Sequence, residues 1–314
     1  MHKDKKSQSQ IKSYLFIVYA AVLWASSGTA SKYLFNGGMS PYVLVQYRVS
    51  FSAIIIGIYL LLFKPHFLKI KIRDLWYFVA LGVGMGGVQI AYLFAISKIN
   101  VAIAILLEYL APFFVAIYSS LFFNETMNRW KALSILMAFI GCFFAVEAYN
   151  VSILALNRQG LFAGLLSAIF FSFYTILGER MMRRYHPWTV VFYAFAFSTL
   201  YYNIGLPPSN LLLSDIEFRS ALTVIYVVTI GTLVPFSFYY MGIEYLRSTR
   251  ASVVATLEPI SAGIFSFILL GELLTPWQIF GGLLVIVSII IIQLKKEIDP
   301  EAPAYKKLAL AKGK

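Results

Sequence analysis

From Val101 to Trp130 the chain reads VAIAILLEYLAPFFVAIYSSLFFNETMNRW, and from Ser248 to Trp277 it reads STRASVVATLEPISAGIFSFILLGELLTPW. The same offset of 147 residues brings Tyr92, Ile96, Ala104, Leu110, Pro112, Ile117, Ser119, Glu125 and Trp130 onto Tyr239, Ile243, Ala251, Leu257, Pro259, Ile264, Ser266, Glu272 and Trp277 without a gap. Scattered identities mean little in apolar sequence. The shared spacing Pro-x12-Glu-x4-Trp means more, because carboxylates and prolines are costly where a helix crosses lipid. An offset of 146 pairs Thr29 with Thr175 and Pro41 with Pro187, which extends the match toward the start of each half.

The surrounding composition fixes the solvent. Of 314 residues 60% are hydrophobic and 13% charged, with a mean hydropathy of +0.77, against roughly 45–50% and about 25% in a soluble domain. The 27 Phe, 21 Tyr and 5 Trp are too many to hide from water. About 20 apolar residues make one crossing, which predicts spans at Tyr14–Phe35, Tyr42–Phe63, Leu75–Ile96, Val101–Phe122 and Trp130–Ala148. Five more are predicted at Gly160–Gly178, Trp188–Leu206, Ser220–Met241, Ala251–Leu270 and Trp277–Leu294. The expected fold is therefore an all-α integral membrane protein of ten transmembrane helices in two five-helix repeats, 14–148 and 160–294. A basic N-terminal segment (1–13), an external linker (149–159) and a basic tail (295–314) complete it. The first run is too long for a cleavable signal and is read as a retained span. Five is odd, so the second repeat must enter from the opposite side, and Glu125 and Glu272 face opposite compartments.

Basic residues test this count. With the N-terminus in the cytoplasm, 21 Lys and Arg fall on inside segments and four outside (Lys32, Lys98, Arg158, Arg219), while Arg48 lies within a span. That is the positive-inside bias, and an odd number of spans would destroy it. The net charge of +12 is thus read as cytoplasmic loops beside anionic lipid and not as a nucleic-acid surface. The expected location is the cell membrane with both termini cytoplasmic.

Several residues resemble a known family. Leu23-Trp24 early in span one with Lys32 at its end, Arg48 in span two, and the Pro-x12-Glu endings of spans four and nine, with Leu257-Glu258-Pro259 in the second, are similar to the EamA branch of the drug/metabolite transporter superfamily. Leu107-Glu108-Tyr109-Leu110-Ala111-Pro112 resembles the matching stretch in members that export amino acids such as threonine and homoserine. The likeness covers about residues 14–294 and departs at Ala25-Ser26-Ser27, where Gly-Ser is usual. It implies a ten-helix inner-membrane carrier that moves small metabolites outward on an ion gradient.

A carboxylate within a span costs about 2.5–3.5 kcal/mol on insertion scales and points to a use. Glu108 and Glu258 are such residues, each about a third of the way along its span and offset from one another by one helical turn in the alignment. Burial disfavours the charged form, so both are expected to be protonated at rest. Each is a candidate to accept a proton or a substrate ammonium; the alternative is a neutral Glu bonded to an opened backbone carbonyl. Prolines supply such carbonyls: Pro112 leaves that of Glu108 free, Pro259 that of Ala255 and Pro235 that of Gly231. The helix-kink residues are therefore Pro112, Pro235 and Pro259.

Around Glu258 the face Ser252, Ala255, Ala262, Ser266 is uniformly small, which suits close packing or a cavity wall alike. On span three Gly82, Gly86, Gln89 and Tyr92 share a face, with Gly84 and Gly87 nearby. These glycines follow no strand and do not fit Gly-x-Gly-x-x-Gly, so they predict helix contact with Gln89 and Tyr92 facing inward. Tyr239, the repeat partner of Tyr92, suggests a symmetric pair around a central cavity. Arg48 either snorkels to the outer interface or pairs with a helix C-terminus, or it binds a substrate carboxylate. Trp24 and Ser27, one turn apart, offer an apolar wall and a hydroxyl. Tyr14, Trp76, Trp130, Trp188 and Trp277 lie near span ends and read as interfacial belts.

One cysteine, Cys142, excludes an internal disulfide, and His2, His66 and His186 sit near chain ends or loops, so no metal or cofactor is expected. His-Glu-x-x-His, Gly-x-Ser-x-Gly and Gly-x-x-x-x-Gly-Lys are absent, which argues against an intramembrane enzyme and against ATP hydrolysis. No ring of like charge suggests a channel filter. The expected function is proton-coupled export by alternating access of an amino acid or related zwitterion, because one cation and two carboxylates suit one. The alternatives are a passive channel or facilitator and, less favoured, an enzyme. Small-molecule substrate and lipid bilayer are the expected partners, nucleic acid is not, and either a monomer or a homodimer fits. Reporter fusions at each terminus should both read cytoplasmic; opposite compartments would overturn the even span count.

Overall fold

A computed structural model describes residues 2–99, 101–123, 125, 127–149, 157–207, 217–270, 274–294, 302–304 and 306. Glu272, most of the linker and nearly all of the basic tail lie outside them, as does the side chain of Ser266. The described residues form α1 (His2–Asn36), α2 (Pro41–Phe63), α3 (Leu75–Lys98), α4 (Val101–Glu108), α5 (Ala111–Phe123) and α6 (Arg129–Ala145). There follow α7 (Arg158–Met182), α8 (Pro187–Gly205), α9 (Phe218–Val228), α10 (Val234–Ile243), α11 (Ser248–Ala255), α12 (Leu257–Leu270) and α13 (Pro276–Leu294). α1 takes in the basic stretch before Tyr14 without a break. Proline starts α2 and α8, where its missing N–H costs nothing.

Six helices among the described residues are long and apolar enough to cross a membrane: Gln10–Asn36, Pro41–Phe63, Ile72–Lys98, Ile103–Leu121, Arg158–Met182 and Phe218–Ile243. The regions expected as spans five, seven, nine and ten form α6, α8, the α11–α12 pair and α13, which are shorter or less apolar. The outward faces match an apolar solvent, with Leu62, Leu121 and Ile268 each about 70% exposed.

Two helices are interrupted where the prolines require it. The first break is the Tyr109–Leu110 turn between α4 and α5, and the second is Thr256, between α11 and α12. These positions are equivalent at the offset of 147. Pro112 and Pro259 cannot donate to the carbonyls of Glu108 and Ala255, so the chain closes tighter turns instead: Leu110 N donates to Leu107 O (3.2 Å) and Thr256 N to Val253 O (3.2 Å). Pro235 has a milder effect. It follows a widened π-helical turn at Thr229–Leu233 that joins α9 to α10.

The halves interlock. α3 packs on α7 and α8, α10 on α1, α9 on α2, α12 on α1, and α6 lies along α13. The α3 glycines serve these contacts. A Cβ on Gly86 would come within 3.1 Å of Tyr202 on α8, and one on Gly87 within 2.5 Å of Phe170 on α7. Gly141 and Gly281 do the same for α6 and α13, where a Cβ on either would meet the carbonyl of the other at 2.7 and 2.5 Å.

One end of the bundle is closed by buried charge. Arg247, between α10 and α11, forms an ion pair through Nε with Glu179 Oε1 of α7 (2.8 Å), and Ser248 N donates to Glu179 Oε2 (2.9 Å). Glu125, just past α5, pairs with Lys131 Nζ (3.2 Å) and accepts from Thr249 Oγ1 (3.0 Å). All four charged side chains are buried, so removing one partner strands its mate. Glu179→Ala should lower unfolding stability by about 3–5 kcal/mol. Arg184→Ala, whose bridge to Asp74 leaves the guanidinium half exposed, should cost no more than about 1 kcal/mol. Equal thermal shifts in detergent would refute this ranking.

Candidate functional site

The two breaks place carboxyls at helix ends. Glu108 is the last residue of α4 and Glu258 the second of α12. They meet Trp24 and Ser27 of α1, Arg48 of α2, Gln89 and Tyr92 of α3 around a central cavity of about 20 Å³, which Val88, Phe171 and Phe236 close with apolar surface. That volume admits one water molecule, whereas ligand pockets typically measure about 300–1,000 Å³.

The two carboxyls have opposite surroundings. Glu258 Oε2 accepts from Tyr109 Oη at 2.8 Å and Oε1 from Tyr92 Oη at 3.4 Å. It also lies in the first turn of its helix, the end where backbone N–H groups favour negative charge. Glu108 stands at the carbonyl end of α4, which repels negative charge. Its Oε2 is buried without a hydrogen-bond partner.

Arg48 is enclosed by protein, 3% exposed, and reaches no interface. Its Nε donates to Thr232 Oγ1 (2.6 Å) and its Nη2 to Gly231 O (3.3 Å), the carbonyl that Pro235 leaves free. The π-helical turn thus anchors the guanidinium. Its Nη1 has no partner, and neither have Trp24 Nε1 and Ser27 Oγ. Three donors and one acceptor are therefore buried and unsatisfied beside one cavity, where each costs about 1–3 kcal/mol if left so.

Tyr239 is not part of the lining. Its ring packs 5.4 Å from those of Trp24 and Phe171, and its hydroxyl lies 3.3 Å from Thr175 Oγ1. Of the two tyrosines expected as a pair, Tyr92 reaches Glu258, while Tyr239 packs behind the aromatic wall. The shift between helices α3 and α10 explains it, because the π-helical turn ahead of α10 has no counterpart in α3. Gln89 lines the cavity but finds only Met85 Sδ at 3.9 Å. Pro112, Pro235 and Pro259 act through the backbone they break.

Sequence reading missed Tyr109, Phe171 and Phe236. Tyr109 had a signal, since it sits in the turn that Pro112 enforces and so leaves the helical phase of its neighbours. The two phenylalanines had none, being apolar residues in apolar spans.

The EamA-like transporter family model matches the chain twice, over residues 11–146 and 158–294. An uncharacterized inner membrane transporter of Salmonella typhimurium is 30% identical over 289 residues, covering 90% of this chain and 95% of that one. A riboflavin transporter of Fusobacterium nucleatum is 26% identical over 311 residues, covering 90% and 97%. A solved crystal structure shares the fold with a TM-score of 0.72 at 16% identity, covering 90% of this chain and 96% of its own. The double match covers nearly the whole chain, and the chain belongs to the EamA-like transporter family of multi-pass membrane proteins.

Proposed function

We propose that the protein is a secondary carrier that exports a small zwitterionic metabolite, an amino acid or a close relative, by alternating access coupled to a proton gradient. The observation that carries this reading is the set of unsatisfied atoms at the cavity. Arg48 Nη1, Trp24 Nε1 and Ser27 Oγ are donors that a carboxylate would accept from, and Glu108 Oε2 is an acceptor for an ammonium. Glu258, already held by two phenols, balances the fixed charge of Arg48. One or both carboxyls exchange a proton with the open side, since a lone buried charge is costly.

In this reading the chain crosses the membrane ten times in two oppositely oriented halves, with both termini cytoplasmic. The exchange of α3 on α7 for α10 on α1, and of α3 on α8 for α9 on α2, when the halves are swapped supports it, as does the double family match. A cavity of about 20 Å³ is too small for the cargo, so the half-helices on either side of the breaks must move to admit it. Closure around the site favours a carrier over an open pore.

The direct test is a thermal-stability screen of the purified protein against amino acids, amines and organic cations. A zwitterion at about 100 times its Kd should add about 2.7 kcal/mol, and Arg48→Ala should abolish that gain while sparing any simple amine. Stabilisation by amines alone would overturn the zwitterion assignment. With a ligand in hand, the Glu108→Gln, Glu258→Gln double variant should express normally yet lose proton-driven efflux from liposomes, and unchanged pH-dependent transport would refute coupling through these carboxyls. Saturable counterflow by the unaltered protein would separate a carrier from a channel.

A further inference from the structure

A second cavity lies on the outside of the bundle. A groove of about 310 Å³ runs between α5 and α7, walled by Phe114, Ile117, Leu121, Ile169 and Phe173, and Arg180 stands at one end of it. Its walls are exposed apolar side chains, Leu121 being 71% exposed and Ile117 58%. The guanidinium of Arg180 is held over the ring of Tyr77, 4.9 Å from its centroid. No carboxylate among the described residues pairs with it. Its neighbour Glu179 turns to the other side of α7, where Arg183 and Arg247 take its Oε1 and Ser248 its Oε2. A fixed, exposed guanidinium at the mouth of an apolar trough is complementary to an anion that carries a hydrocarbon tail.

We propose that this groove is a binding site for one anionic phospholipid, with an acyl chain along α5 and α7 and the phosphate on Arg180. The repeat-equivalent position between α12 and α1 makes the assignment selective. That groove is larger, about 790 Å³, and also carries an arginine, Arg219, but Ser26, Thr29, Thr223 and Tyr226 line it. Ser26, Thr223 and Tyr226 there bond to protein, as does Ser172 of the α5–α7 groove to Ala111 O (3.2 Å) and Ala168 O (2.6 Å). The two grooves therefore differ in number: the α5–α7 groove sets two hydroxyl side chains, Ser172 and Tyr118, beside its apolar walls, against five, Tyr33 included, in the other. Ala111 is the first residue of α5, so the bound lipid touches the half-helix that follows the break at Tyr109–Leu110.

Native mass spectrometry of the full chain, purified and offered equal amounts of phosphatidylglycerol and phosphatidylcholine with identical chains, tests the site. The unaltered protein should retain one phosphatidylglycerol in preference. Arg180→Ala should reduce that preference about fivefold, the worth of one basic residue near a lipid surface. Arg184→Ala, at the same helix end but seated on Asp74, should leave it unchanged. Ile117→Trp, which fills the trough from an exposed position, should lower retention of both lipids. Equal retention of the two lipids, or equal losses from Arg180→Ala and Arg184→Ala, would overturn the site in favour of diffuse charge. A dimer that Ile117→Trp dissociates would overturn it in favour of a second copy of the chain.

Discussion

Two proline nitrogens that cannot donate a hydrogen bond set the geometry on which the site depends. Pro112 and Pro259 interrupt two helices at equivalent positions, and Tyr109 and Thr256 at the two breaks are buried in protein, the setting in which a broken helix is tolerated within a membrane. A break inside a helix bundle creates helix ends where none would otherwise exist. Those ends carry partial charge of opposite sign. Glu108 terminates one half-helix and Glu258 begins another, so two carboxyls of the same chemistry acquire different electrostatic surroundings.

The third proline works on the opposite charge. Pro235 frees the carbonyl of Gly231 within the π-helical turn, and that carbonyl with Thr232 Oγ1 takes two of the three nitrogens of Arg48. A guanidinium buried among apolar helices needs such anchoring, because an unpaired charge there is costly. The third nitrogen is left for the cavity. Around it the rings of Trp24, Phe171, Phe236 and Tyr239 pack at 5.0–6.1 Å, edge-on or tilted, as one aromatic wall.

The interlocked halves explain how such a site stays closed. Among the described residues the main buried core takes residues from both halves, with α3 against α7 and α8 and α1 against α10 and α12. At one end the pairs among Glu125, Lys131, Glu179 and Arg247 join elements of both halves. Glu108 and Glu258 come from different halves, and Tyr109 links the first break to the carboxyl at the second with a single hydrogen bond.

Much of this was readable in the residues. Composition and apolar length determined a helical, membrane-embedded chain, because the cost of exposing backbone or charge to hydrocarbon allows few alternatives. The prolines located the breaks, and the rarity of carboxylates in spans singled out Glu108 and Glu258. Tertiary structure alone decided which groups meet. It turned Arg48 inward onto Gly231, brought Tyr109 to Glu258, and set Tyr239 behind the wall that its repeat partner Tyr92 lines. The physical reason is that periodicity specifies which face of a helix is buried, whereas the partner on that face depends on small shifts in helix phase, such as the widened turn before Pro235, that follow from packing against helices more than a hundred residues away.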